Sequence, residues 1–119
     1  MSPIPFKPKA YLREGCPFSF KFFLFASEAG IGDRFELIRC NPEAPEFEVI
    51  RSKLQAGLQK PATFPTVEIE PGRFLSDSDE LIEHYASVYH IEVDKLPVLS
   101  FYLQTIFPQL LRLHESQWI

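Results

Sequence analysis

Lys7-Pro8-Lys9-Ala10-Tyr11-Leu12-Arg13-Glu14-Gly15-Cys16-Pro17-Phe18-Ser19 is the stretch on which the fold turns. Lys7 to Arg13 reads as a short strand, Gly15 supplies the turn that releases it, and Pro17 opens a helix running to about Ala29. Proline at a first helical position sacrifices no hydrogen bond, because the first N–H groups of a helix have no intrahelical partner. A cysteine just before it stands at the positive end of the helix dipole, which favours thiolate over thiol. Cys16 is therefore the candidate nucleophile.

The helix that follows carries Phe18, Phe20, Phe22, Phe23, Leu24 and Phe25 around most of its circumference, so burial on more than one side is expected. After Gly30-Ile31-Gly32-Asp33, residues Arg34 to Cys40 form a second strand, which a helical crossover makes parallel to the first. A second helix is predicted from Pro45 to Leu58, with Phe47, Ile50, Leu54 and Leu58 at helical spacing, and Gln59 to Thr63 read as loop. Thr66-Val67-Glu68-Ile69-Glu70 alternates with period two, and Pro71-Gly72 turns it back into Arg73-Phe74-Leu75 as a β-hairpin. Asp77 or Ser76 then caps a third helix to about His90, with Leu81, Ile82, Tyr85 and Tyr89 turned inward. The order β-α-β-α-β-β-α predicts an α/β domain with a mixed four-stranded sheet. A last helix from about Leu96 carries an apolar stripe of Leu99, Leu103, Ile106, Leu110 and Leu113, with Pro108 as a kink. Residues 1–95 are thus read as the domain. Residues 96–119 are read as a helical extension that covers an outer helix face, inside the subunit or across a homodimer.

At 119 residues, 45% of them hydrophobic, the chain suits one compact domain. The net charge is −4 and the basic residues form no run, which argues against nucleic acid. Met1 to Pro8 lacks the pattern of a secretory signal. Leu96 to Leu113 is too often interrupted, by Ser100, Gln104, Thr105, Pro108, Gln109 and Arg112, to span a membrane. The two cysteines, Cys16 and Cys40, fit a reducing compartment, so a cytoplasmic location is expected. His84, His90 and His114 show no ligand spacing, and no metal site is expected.

Three motifs carry a resemblance. Cys16-Pro17-Phe18-Ser19 after the first strand, Phe64-Pro65 immediately before the third, and Asp77-Ser78 at the start of the third helix occur in this order. Over residues 9 to 90 they resemble the thioredoxin-like amino-terminal domain shared by glutathione transferases and glutaredoxins. The first motif looks like the active-site start of the cysteine-type members: omega-like transferases, plant dehydroascorbate reductases and chloride intracellular channel proteins. The resemblance implies glutathione as co-substrate, Cys16 as nucleophile, and Pro17, Phe18, Phe64, Pro65, Asp77 and Ser78 as its binding residues. It also implies a cis bond before Pro65, with the backbone of Phe64 offered to the cysteinyl part of glutathione. In the third motif, Asp77 replaces the family's glutamate, which shortens its reach.

Ser19 stands where dithiol glutaredoxins have their second cysteine, so a dithiol cycle at this motif is excluded. What remains is monothiol exchange with glutathione and glutathionylated thiols. Cys40 reads as a buried inert thiol, or as a resolving one. Lys21 reads as a helper of the thiolate or as a solvated helix lysine. Lys60 and Arg73 are candidates for the glycine carboxylate of glutathione. Because the large helical domain of full transferases has no counterpart here, two alternatives stand beside the thiol transferase: a non-catalytic binding module of thioredoxin-like fold, and a transferase conjugating small electrophiles.

Overall fold

A computed structural model describes residues 6–118 of the chain, with side chains to residue 113. Four strands, β1 (Lys9–Arg13), β2 (Glu36–Cys40), β3 (Thr66–Glu70) and β4 (Arg73–Ser76), form one sheet in the order β2-β1-β3-β4. β1 and β2 run parallel, with Lys9 opposite Glu36 and Arg13 opposite Cys40, while β3 is antiparallel to both β1 and β4. Helices α1 (Pro17–Glu28), α2 (Glu46–Leu58) and α3 (Ser78–Tyr89) complete the expected order. This is a thioredoxin-like α/β arrangement with an added carboxy-terminal helix. β1 starts at Lys9 rather than Lys7: the Pro8 carbonyl accepts from the Glu36 N–H at 2.8 Å, but proline has no N–H of its own to extend the ladder.

Alternation along β1 sorts the core onto two faces of the sheet. Ala10 and Leu12 join Phe22, Phe25, Val67, Leu81 and Tyr85 under α1 and α3. Tyr11, on the opposite face, joins Cys40, Phe47 and Leu54 under α2. Gly57 sits within α2 because a methyl group there would run into the ring of Phe74 on β4, so the helix approaches the sheet at a distance that only glycine allows.

The carboxy-terminal helix consists of α4 (Pro97–Phe101), a π-helical stretch (Tyr102–Ile106) and α5 (Phe107–Trp118). It runs back along α1. At the far end of α1 the Glu28 carboxylate accepts the N–H groups of Val98 at 2.7 Å and Leu99 at 2.8 Å, so one helix's last residue caps the start of another. At the near end the Tyr102 hydroxyl donates to the Pro17 carbonyl at 2.9 Å, and Phe107 meets Phe18 edge-on at 5.4 Å.

The kink expected at Pro108 takes the form of that π-helical stretch. Proline cannot bond back to the preceding turn, and the wider turn relieves the clash of its ring. Widening also shifts the phase of the apolar stripe. Leu99 is buried and Leu103 partly so, but Tyr102 takes the inward position, and Ile106 and Leu113 are 43% and 62% exposed. The extension therefore covers α1 within the chain. Residues 1–5 and the side chain of His114 lie outside the described residues.

The Tyr85 ring packs edge-on against Phe35 at 4.8 Å and beside Phe22 at 6.2 Å, and its buried hydroxyl meets no hydrogen-bond partner among the described residues. Burial pushes this phenol up. Tyr85→Phe keeps the ring and removes the desolvated hydroxyl, and urea unfolding should show stability raised by about 1 kcal/mol. A loss of stability would mean that the hydroxyl is satisfied.

Candidate functional site

The sheet brings the three motifs to one edge. Tyr11 near the end of β1 lies opposite Thr66 at the start of β3, and Thr66 lies opposite Ser76 at the end of β4. The segment leaving β1, the segment entering β3 and the segment leaving β4 consequently meet at the same end of the sheet. Cys16 is the residue before α1, with φ −96° and ψ 120° and no side-chain capping bond. Its thiol points instead to the Phe64 carbonyl, with Sγ 3.8 Å from the oxygen. The Phe64–Pro65 bond is cis.

Other side chains fix this edge. Pro17 is buried as the first residue of α1, after Gly15 turns the chain with φ +78°. Ser19, where a second thiol would stand, is buried, and its hydroxyl accepts the Arg13 N–H at 3.0 Å, tying the first helical turn to the end of β1. The Phe64 ring stacks on Phe47 at 5.5 Å, which leaves its backbone at the sheet edge. Ser78 is buried at the start of α3. Asp77 is exposed and its carboxylate accepts the N–H groups of Asp79 at 2.9 Å and Glu80 at 3.3 Å, so it serves as the cap. Those bonds hold Asp77 at φ 81°, a conformation that costs a residue other than glycine about 1–3 kcal/mol.

Two residues at this edge have roles that spacing alone did not reveal. Lys21 is buried rather than solvated, its side chain 5% exposed, and Nζ lies 2.6 Å from Asp79 Oδ1 and 4.8 Å from the Phe107 ring centre. It ties α1 to the first turn of α3, next to Ser78. A lysine five residues after the cysteine was the visible signal, but its partner was not. Tyr102 had no signal, because the unbroken helical period pointed to Leu103. Burial first, and then the nearness of Cys16, push its phenol up to about 12, so it remains a donor to Pro17.

Arg73 pairs with Glu70 at the other end of β4 from Ser76, away from the site edge, which removes it as a carboxylate partner there. Lys60 lines a separate surface hollow with Ser52, Gln55 and Gln59. Cys40 ends β2 beside Arg13, but its thiol is buried in the α2 cluster and donates to the Ile38 carbonyl at 3.6 Å. Burial pushes it up to about 11, which disfavours a resolving role. Among the described residues no three His, Cys, Asp or Glu side chains gather to hold a metal, and no helix is long and apolar enough to cross a membrane. No family model matches the chain, and no curated protein matches it.

Removing one partner of the Lys21–Asp79 pair should depend on which charge is left behind. Asp79→Asn strands a buried ammonium and should cost about 1–2 kcal/mol, less than for a fully buried pair because Asp79 faces water. Lys21→Met strands no buried charge and should cost less in the same urea titration. The reverse order would show that the pair does not tie the helices.

Cys40 gives a second expectation. Its thiol ionises near 9.0 when unconstrained and near 11 in the fold, so the unfolded chain loses its proton first as pH rises. That contribution to stability is complete below pH 9 and falls by about 1.4 kcal/mol per unit between the two values. Cys40→Ala should flatten that part of the curve, and an unchanged slope would contradict it. At pH 8, iodoacetamide should alkylate Cys16 in the folded protein and reach Cys40 only after unfolding.

Proposed function

We propose that this protein is a glutathione-dependent monothiol transferase, of glutaredoxin-like type, with Cys16 as its nucleophile. The single observation that carries the reading is the Cys16 thiol set 3.8 Å from the Phe64 carbonyl, at the edge where Ser78 opens α3. An extended tripeptide can pair its main chain with the Phe64 backbone as a further strand would. Its γ-glutamyl carboxylate can meet the Ser78 hydroxyl and the first N–H groups of α3. The resemblance assigns Asp77 to the α-amine, and Pro17, Pro65 and Phe18 to the wall around the sulfur.

The chemistry is two thiol–disulfide exchanges. The Cys16 thiolate attacks the glutathionyl sulfur of a mixed disulfide, forms a Cys16–glutathione disulfide and expels the substrate thiolate, which takes up a proton. A second glutathione thiolate then attacks the glutathionyl sulfur, releases oxidised glutathione and restores the Cys16 thiolate. With Ser19 at the second place, no internal thiol in the motif competes for the intermediate. A glutathione pool is needed for turnover, which fits a reducing compartment such as the cytoplasm.

Reduction of a glutathione mixed disulfide, followed through consumption of glutathione, should be lost by at least about 100-fold in Cys16→Ser and retained in Cys40→Ser. Mass spectrometry should find one glutathione added at Cys16 when oxidised glutathione alone is supplied. Activity that survives Cys16→Ser would overturn the reading.

A further inference from the structure

The π-helical stretch Tyr102–Ile106 interrupts an otherwise continuous helix, and wide turns of this kind frequently mark functional sites. What this one turns inward is a phenol. Tyr102 is 2% exposed, its ring lies between Phe20 at 5.0 Å and Phe107 at 5.5 Å, and its hydroxyl donates to the Pro17 carbonyl at 2.9 Å. The ring alone would serve to cover α1. The hydroxyl adds a bond to one particular peptide group.

That peptide joins Pro17 to Phe18, and its other pole is the Phe18 N–H. Cys16 is the cap residue of α1, since its carbonyl accepts from the Phe20 N–H at 3.0 Å. The side chain of a cap residue can accept from the second and third N–H groups of its helix, here those of Phe18 and Ser19, because Pro17 has none. As a thiol, Cys16 is instead a donor, and it points to the Phe64 carbonyl at 3.8 Å. A thiolate has no proton to give that oxygen, and rotation about its Cα–Cβ bond turns the sulfur toward the Phe18 and Ser19 N–H groups. A hydrogen bond to the carbonyl of a peptide polarises the group and makes its N–H a better donor. The two side chains also feel each other directly, because Cys16, after burial, helps to push the Tyr102 phenol up to about 12.

We infer that Tyr102 is a positioning residue for the Cys16 thiolate: its hydroxyl, bonded to the Pro17 carbonyl, strengthens and aims the Phe18 N–H that receives the sulfur once its proton is lost. This rests on the proposed reading only in taking Cys16 as the nucleophile. The carboxy-terminal helix then acts on the thiol through the first peptide of α1, without touching the group that the thiol attacks.

The test is alkylation of Cys16 by iodoacetamide in the full chain, read by mass spectrometry between about pH 5 and about pH 10. The thiolate displaces iodide, so the rate follows the ionised fraction of Cys16 and needs no glutathione. Tyr102→Phe keeps the ring and removes the hydroxyl. Its half-rise should lie about half a pH unit above wild type, a thiolate fraction about threefold lower on the rising limb, with plateau rates within about twofold. Tyrosine fluorinated beside its hydroxyl, introduced at position 102, donates more strongly at nearly the same size and should move the half-rise down. Glu28→Ala frees the other end of the same helix from Val98 and Leu99 without touching Pro17, and should leave the profile in place. The charged side chains around this turn are Arg13 and Glu14 after β1, Arg39 on β2, Lys21 on α1, and Asp77 and Asp79 at α3, and all are the same in each protein compared.

An unmoved profile in Tyr102→Phe overturns the inference. An equal shift in Glu28→Ala also overturns it, because docking of the helix, not the hydroxyl, would then be the cause. Should Tyr102→Phe fail to fold, the fluorinated protein decides alone, and a half-rise that stays or moves up counts against the inference. Profiles that shift as expected in a protein that reduces no glutathione mixed disulfide would defeat the transferase reading and keep the role of Tyr102.

Discussion

The structure depends on a helix that is apolar on two sides. α1 presents Phe22 and Phe25 to the sheet, both fully buried and each worth about 1.5–3 kcal/mol of transfer free energy. Its other flank carries Phe18, which meets Phe107 of the carboxy-terminal helix, and Phe20, which meets Tyr102 and stays 47% exposed. That helix is held at both ends of α1, by the Glu28 carboxylate under Val98 and Leu99 and by the Tyr102 hydroxyl on Pro17. The second attachment lies one residue from Cys16. Covering the helix and fixing the thiol's turn are thus done by the same element, which joins packing directly to the chemistry proposed for this edge.

The elements that were legible from residue order are those governed by local rules. Gly15, Cys16 and Pro17 mark the strand-to-helix change because turn geometry and the missing proline N–H act within a few residues. The hairpin at Pro71-Gly72 and the period of Thr66 to Glu70 are equally local, and Gly72 donates its N–H to the Glu68 carboxylate at 2.9 Å across that turn. The meeting of Cys16 with Phe64 was legible only through the resemblance, since their separation of 48 residues leaves no trace in periodicity.

What escaped the sequence reading has a common physical cause: it depends on partners distant in the chain. The π-helical stretch rotates the last helix so that Tyr102 faces α1, a change of phase that an unbroken 3.6-residue period conceals. Lys21 looks like an ordinary surface lysine until Asp79 and Phe107 are brought to it. Asp77 was legible as a cap and as a ligand residue alike, and its two bonds to the α3 backbone show the first of these roles.

The Ser19 hydroxyl bears on how such a one-thiol site can change over generations. Because it accepts the Arg13 N–H at 3.0 Å, the position is occupied by a structural acceptor that sulfur replaces poorly. A mutation placing cysteine there would gain a second thiol while loosening the turn that aims the first. A thiol at this place would therefore come at the expense of the bond that ties the first turn of α1 to the end of β1.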